Sequence, residues 1–493
     1  MTHILALDQG TSSSRAFIFD VNGNIVGRGQ RTFDMTFPHS GWVEQEPDVL
    51  WDTTLSAARA ALAQAGLEGR DIAAIGITNQ RETTLVWERA TGRPVYNAIV
   101  WQDRRTAERC NQLRAAGVEA DVARQTGLLL DPYFSATKIG WILDSAPSLR
   151  ARAEAGELCF GTVDTYLIYR LTGGQRHVTD ATNASRTLLF DIHRQCWSDT
   201  LLEEFGVPRA MLPDVLDCAA TFGSTQPELF GAAIPITGVA GDQQAALIGQ
   251  GCVHPGMLKS TYGTGCFVMA NAGVTPPASA HRLLSTVAYR VDGVTTYALE
   301  GSIFVAGQAV KWLRDELKLI TDPADTERHC QATGGDTGGV YLVPAFTGLG
   351  APHWEPDARA LLTGMTLDTG VDEVVTATVA SVVYQTLDLL EAMARDGTRA
   401  RSLRVDGGMV VNNWLCQFLA DILAIDVQRP RVIETTVLGA AILAALGAGL
   451  FPSLDRATTL WHQETVFQPA LSAVERSRLV AGWHRAIRQA KAG

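Results

Sequence analysis

A turn of glycine, threonine and serine between two apolar stretches occurs twice in this chain, roughly half a chain apart. No other feature constrains the fold as strongly. Residues 4–20 read ILALDQGTSSSRAFIFD and residues 257–270 read MLKSTYGTGCFVMA, and each pattern is that of a β-hairpin. Such a turn presents backbone N–H groups and hydroxyls to an anion with no bulky side chain in the way. Two of them predict two similar domains closing on one nucleotide, with Asp8 in the first turn placed to act on a metal or on water. An ordinary polar hairpin is the alternative for either turn alone, and only the pairing discriminates.

Length agrees with a duplication. The 493 residues exceed what one hydrophobic core supports, and two domains, 1–250 and 251–493, match the spacing of the turns. A hydrophobic share of 46%, a charged share of 19% and 46 glycines suit an α/β enzyme with many turns. The net charge of −11 argues against a nucleic-acid surface, which needs clustered cations; an anion site must therefore be local. Eight scattered cysteines without a Cys-x-x-Cys pair read as thiols of a reducing compartment. The start MTHILALDQG has no basic segment before its apolar run, and the apolar stretch from Val437 to Phe451 is too short to span a bilayer. A cytoplasmic protein without membrane insertion is expected.

The chain opens with short strands at 3–8, 15–20 and 24–28, a helix at 48–65 led by Pro47, and the strand IAAIGIT at 72–78. A hairpin comes next at 83–101, then a helix at 134–145, and a strand, Gly-Asp turn and helix at 234–249. After 250 the pattern restarts: hairpin 257–270, strands 285–291 and 294–300, a helix near 304–318, a long helix at 372–395, and a strand, DGG turn and helix at 402–423.

Phosphoryl transfer requires donors around phosphates, a divalent cation and a group that positions the acceptor hydroxyl. The segment from Asp8 to Arg15 and the turn Gly263-Thr264-Gly265 supply the donors, and Asp406-Gly407-Gly408 adds a third glycine turn ahead of Asn412 and Asn413. Asp242 ends an apolar strand, where a carboxylate faces the ligand crevice of an α/β domain and can act as a general base; the alternative is a helix N-cap. Arg81-Glu82, after another strand, offers donors and an acceptor to vicinal hydroxyls, or else forms a solvent-exposed pair.

Hairpin repeats of this kind resemble the actin-like (ribonuclease H-like) ATPase superfold, in which a nucleotide lies between two duplicated α/β domains. Further, DQGTSSSR (8–15), GITNQRETT (76–84), NAIVWQDRRTAE (97–108), DPYFSATKIGWILD (131–144), GTVDTYLIYRLTGG (161–174), TDATNASRTLLF (179–190), GDQQAALIGQ (241–250), TYGTGCF (261–267), VPAFTGLGAPHW (343–354) and RVDGG (404–408) resemble the FGGY carbohydrate kinase family, and GITNQRETT and DPYFSATK its glycerol branch. The resemblance extends to GWHRAI at 482–487. It implies ATP-dependent phosphorylation of glycerol to sn-glycerol 3-phosphate with Mg2+. It also implies that Arg81, Glu82, Tyr133, Asp242 and Gln243 hold the hydroxyls, that Trp101 and Phe267 flank the carbons, and that Asp242 is the base. Thr11, Ser12, Ser13 and Arg15 match the first phosphate loop; Thr264, Gly307, Gly408 and Asn412 match nucleotide contacts; Asp8, with Asp242, would serve the magnesium. Relatives imply a homo-oligomer, dimer or tetramer.

Two positions depart from the family pattern. Lys311 stands where related kinases often carry Gln beside the nucleotide. Residues 224–236, STQPELFGAAIPI, lack the basic residues with which some relatives bind an inhibitory sugar bisphosphate, so weak or absent inhibition is expected. The rivals are a pentulose or other polyol kinase of the same family and an actin-like module that uses ATP only as a switch.

Overall fold

Strand β1 (His3–Gln9) is buried along its whole length, as a strand at the centre of a sheet covered on both faces must be. The computed structural model describes residues 2–346, 348–355 and 357–492. With β1, the strands β2 (Ser13–Asp20), β3 (Ile25–Thr32), β4 (Ile72–Asn79), β5 (Ala219–Ser224) and β6 (Pro235–Gly241) form a sheet in the order β5-β6-β4-β1-β2-β3. The edge strand β3 is largely exposed and carries Arg28 and Arg31, charges that blunt edge-to-edge pairing.

A second sheet holds β7 (Leu258–Tyr262), β8 (Cys266–Gly273), β9 (Leu284–Val291), β10 (Val294–Ile303), β11 (Ser402–Asp406), β12 (Asp426–Pro430) and β13 (Gln463–Phe467), in the order β9-β10-β8-β7-β11-β12-β13. The plan is that of the first sheet. An antiparallel meander (β1, β2, β3; β7, β8, β10) is followed by two parallel strands (β4, β6; β11, β12) and an antiparallel edge strand (β5; β13), with β9 added outside β10. This is the duplicated α/β architecture that the twin hairpins predicted.

The helices obey the local signals. In α1 (Pro47–Ala65), Pro47 occupies the first turn and Gly66 ends the helix in the left-handed conformation at φ 65°. The others that matter here are α2 (Ser135–Asp144), α3 (Asp242–Gly249), α4 (Gly307–Asp315), α5 (Val371–Arg395), α6 (Asn413–Leu423), α7 (Thr435–Gly447) and α8 (Ala473–Ala492). Helix α4 is shorter than the predicted 304–318, because the Ala306 and Gly307 N–H groups bond back to the carbonyls of Thr264 and Gly263. A 3-10 turn, Gly408–Val411, separates the DGG turn from α6.

One face of the first sheet, Leu5, Leu7, Ala16, Ile18, Ile75 and Ile77, shares a core with α1. The opposite face, Ile4, Ala6, Phe17, Phe19, Ala74 and Ala240, packs with α3 and with α7, a helix contributed from the far end of the chain. Helices α3 and α7 cross almost backbone to backbone: a Cβ at Gly439 would lie 1.8 Å from the Ala245 carbonyl oxygen, and one at Gly249 would lie 1.9 Å from that of Thr435. Only glycine fits either position. The second sheet has its core with α5, α6 and α8. Its β9–β10 edge also leans on the first half, with Leu284, Val287 and Tyr297 joining the core around Phe134 and Ile139. Among the described residues no helix is long and apolar enough to cross a membrane, and all eight cysteines are free thiols.

Candidate active site

The parallel strands β1, β4 and β6 end in register, Gln9 beside Asn79 and Asn79 beside Gly241. The segments after these strands therefore emerge side by side at one edge of the sheet: the turn from Gly10 to Ser12, the segment from Gln80 to Thr84, and Asp242. In the second sheet Thr261 of β7 pairs with Asp406 of β11, which brings the Gly263–Gly265 turn next to Gly407-Gly408. The carboxyl edge of parallel strands is where α/β proteins place ligands.

Arg81 and Glu82 are buried, which rules out the solvent-exposed pair. Their turn is tight: the Thr83 N–H bonds the Arg81 carbonyl at 2.7 Å, and Glu82 lies at φ 61°, a left-handed conformation that strains a residue with a side chain. The Arg81 guanidinium binds Glu300 of β10 through two parallel bonds, Nη1 to Oε2 at 2.7 Å and Nη2 to Oε1 at 2.9 Å, and its Nε lies 3.2 Å from Asp242 Oδ1. Arg186 Nε in turn donates to Glu82 Oε1 at 2.7 Å, and its Nη2 reaches Glu300 Oε1 at 3.3 Å. Burial pushes the Glu300 carboxyl up, but Arg186 and Arg81 outweigh it and hold it down at about 2. Two arginines and two glutamates thus compensate one another out of water, an arrangement in which losing any one member strands a charge. Arg186 Nη1 is buried with no hydrogen-bond partner among the described residues.

Asp242 is the first residue of α3, and the cap position belongs to Gly241; the N-cap alternative falls. Its Oδ1 accepts from the Gln243 N–H at 2.7 Å. Burial raises its pKa to about 6, against the pull of Arg81, with Glu82 and Asp8 adding to the rise. A carboxylate tuned towards neutral pH can take a proton from a hydroxyl and yet be largely ionised at pH 7. Trp101 and Tyr133 meet edge to face at 5.5 Å, and the Trp101 indole N–H bonds Thr11 Oγ1 at 3.0 Å, tying the aromatic wall to the first turn. Lys138 of α2 holds the wall from behind: its Nζ donates to the Tyr133 carbonyl at 2.8 Å and lies 3.4 Å from that of Val100, and burial lowers its pKa to about 7. Phe267 stands half-buried on β8, paired across the sheet with Thr261.

In the first turn Ser12 is exposed, and Thr11 and Ser13 are partly so. Arg15 is held by carboxylates: Nη2 and Nε lie 2.5 and 3.0 Å from Asp8 Oδ2, and Nη1 lies 2.6 Å from Glu434 Oε2, just before α7. In the second half Thr264 is exposed at the turn, and a Cβ at Gly307 would come within 2.6 Å of the Gly263 carbonyl oxygen, so α4 begins against that turn. Gly408 faces open space. Asn412 caps α6, its Oδ1 accepting from the Leu415 N–H at 3.0 Å and its Nδ2 donating to Thr326 at 3.2 Å. Lys311 is exposed, one turn along α4 from Gly307. Among the described residues no three His, Cys, Asp or Glu side chains gather as a metal cage. Asp8, close enough to Asp242 to add to the rise of that carboxyl, forms with it the kind of sparse carboxylate set that suits a cation arriving on phosphates.

Sequence reasoning missed Glu300, Arg186 and Lys138. Each had the same faint signal, a charged residue within an apolar segment, in YALEGSIF, NASRTLLF and ATKIGWIL.

Profiles of the FGGY family of carbohydrate kinases match the chain at residues 3–249, for the N-terminal domain, and 258–448, for the C-terminal domain. Glycerol kinase 1 of Pseudomonas aeruginosa is 59% identical over 492 residues, covering 100% of this chain and 99% of that protein. A glycerol kinase of Alcanivorax borkumensis is also 59% identical, over 99% of this chain and 98% of its own length. Among solved structures, the glycerol kinase of Plasmodium falciparum with ADP superposes with a TM-score of 0.92 at 35% identity, covering 99% of this chain and 98% of that one. With both profiles laid along a duplicated sheet whose two glycine turns carry the same plan, the chain belongs to the FGGY family of carbohydrate kinases.

Proposed function

We propose that this protein is a glycerol kinase, transferring the γ-phosphoryl group of ATP to glycerol to give sn-glycerol 3-phosphate and ADP. The observation that carries the chemistry is the Asp242 carboxylate, raised to about 6 and set beside Arg81 at the carboxyl edge of the first sheet. The substrate is inferred from the names of relatives that share more than half of its residues along its full length.

Arg81, Glu82, Tyr133, Asp242 and Gln243 hold the hydroxyls of glycerol, and Trp101 and Phe267 flank its carbons. Asp242 accepts the proton of one terminal hydroxyl as its oxygen attacks the γ-phosphorus, and the bond to the β-phosphate oxygen breaks as ADP leaves. Thr11, Ser12 and Ser13 of the first turn, Thr264 of the second, Gly307 at the start of α4 and Gly408 of the DGG turn supply donors to the phosphates; Asn412, Lys311 and Arg15 complete the nucleotide side. Phosphate binding would draw Arg15 off its carboxylates. Asp8 and Asp242, with the phosphates, would hold Mg2+, which would supply charge neutralisation. The halves 1–250 and 251–493 close on the substrates and exclude water as a competing acceptor. We place the enzyme in the cytoplasm as a homo-oligomer.

Glycerol-dependent ADP release with sn-glycerol 3-phosphate as product tests the proposal; equal or faster turnover with xylulose or ribulose overturns it in favour of a pentulose kinase. Sugar bisphosphates should inhibit weakly or not at all. Arg59, a cation that touches the 224–236 segment, donates to the Leu229 carbonyl at 3.1 and 3.2 Å, and strong inhibition in a titration would contradict this expectation.

A further inference from the structure

Lys259 stands on β7, the opening strand of the second half, with its side chain wholly out of solvent. Its ammonium donates to two neutral groups, Gln243 Oε1 at 2.5 Å and Thr261 Oγ1 at 3.0 Å. Asp406, Asp242 and Glu300 offset part of the cost of burying this charge through space, but the hydrogen bonds that direct it go to the two neutral groups.

The bond to Gln243 reaches from the second half of the chain to α3 in the first. An ammonium has only protons to give, so the end of the amide that meets it must be the oxygen; the chemistry alone fixes which way the amide is turned. The NH2 end therefore points away from Lys259. Among the described residues nothing accepts from it, although Gln243 is itself buried and adjoins Asp242. What remains is a pair of donors of fixed direction beside the base.

We propose that Lys259 is a positioning residue for the acceptor: by holding Gln243 Oε1 it aims the amide NH2 at a hydroxyl oxygen of the substrate. Recognition in the first half is thus set by a side chain of the second. This rests on the reading of Gln243 as a glycerol ligand.

A double-mutant cycle tests the idea, using kcat and KM for glycerol and for ATP in wild type, Lys259→Met, Gln243→Ala and the combination. Lys259→Met should raise KM for glycerol about tenfold or more, the effect of losing one well-directed hydrogen bond, while KM for ATP stays within about twofold. The combined variant should have a KM for glycerol no higher than that of Gln243→Ala, because Lys259 bears on acceptor binding through that amide. Gln243→Glu provides a second route if Lys259→Met fails to fold. It keeps a bond to the ammonium but has no N–H to give, so KM for glycerol should rise by at least as much with no loss of thermal stability. An unchanged KM for glycerol in a folded Lys259→Met protein or in Gln243→Glu, or additive effects in the cycle, would overturn the proposal. Wild-type protein that releases no ADP in response to glycerol would instead sink the functional reading itself, so the two failures are distinct.

Discussion

Asp242 shows how a carboxylate is made into a base for neutral pH without any unusual chemistry. Burial disfavours its charge, Arg81 restores part of it, and the balance lies near 6. Since only the ionised form can accept a proton, kcat/KM for glycerol should climb as pH rises through about 6 and fall about tenfold per pH unit below it. Asp242→Asn should lower kcat by ~10²-fold or more, leave ATP affinity similar and abolish that acid limb; a pH–rate profile with the limb intact would remove Asp242 from the role. How much of this was legible in the sequence depends on separation along the chain. Asp242, Arg81 and Glu82 could be picked out because each lies just past an apolar strand. Glu300 could not, since it meets Arg81 across 219 residues, and Arg186 meets Glu82 across 104. A pattern read locally sees the group that ends a strand; it does not see the counter-charge that another strand delivers.

Helix α7 illustrates the same limit in a larger unit. An apolar run from Val437 onward reads correctly as a core helix, but nothing in its composition says that it serves the sheet of the opposite half. Its register there is set by small residues. A methyl group at Gly439 would collide with the Ala245 carbonyl, and backbone on both sides of the crossing leaves little room to yield. Gly439→Ala should therefore destabilise the fold, although alanine is the better helix former by about 1 kcal/mol; a loss of ~1–3 kcal/mol in urea unfolding is expected from overpacking. Unchanged or increased stability would mean that α3 and α7 can slide apart without cost. The twin hairpins were the opposite case: their turns, strands and spacing are all local, so they were found with nearly correct ends.

The two sheets are separate in hydrogen bonding but not in packing. One core includes Ile4, Phe17 and Ala240 from the first half together with Met269, Ala288 and Val437 from the second. A fragment of residues 1–250 should therefore fail to fold as a unit, binding a hydrophobic dye and eluting as an expanded or aggregated species, even though its sheet is complete. A monodisperse fragment with a sharp thermal transition would show that α7 is dispensable to it. The same docking has a consequence in time. Roughly two hundred residues separate the last strand of the first sheet from the end of α7, so at ordinary rates of translation one face of that sheet waits about 10–40 s for its cover. During that interval the ribosome carries all the strands of the first sheet with their apolar residues uncovered, and nascent chains of this protein are a substrate for whatever shields such surfaces until the final helices emerge.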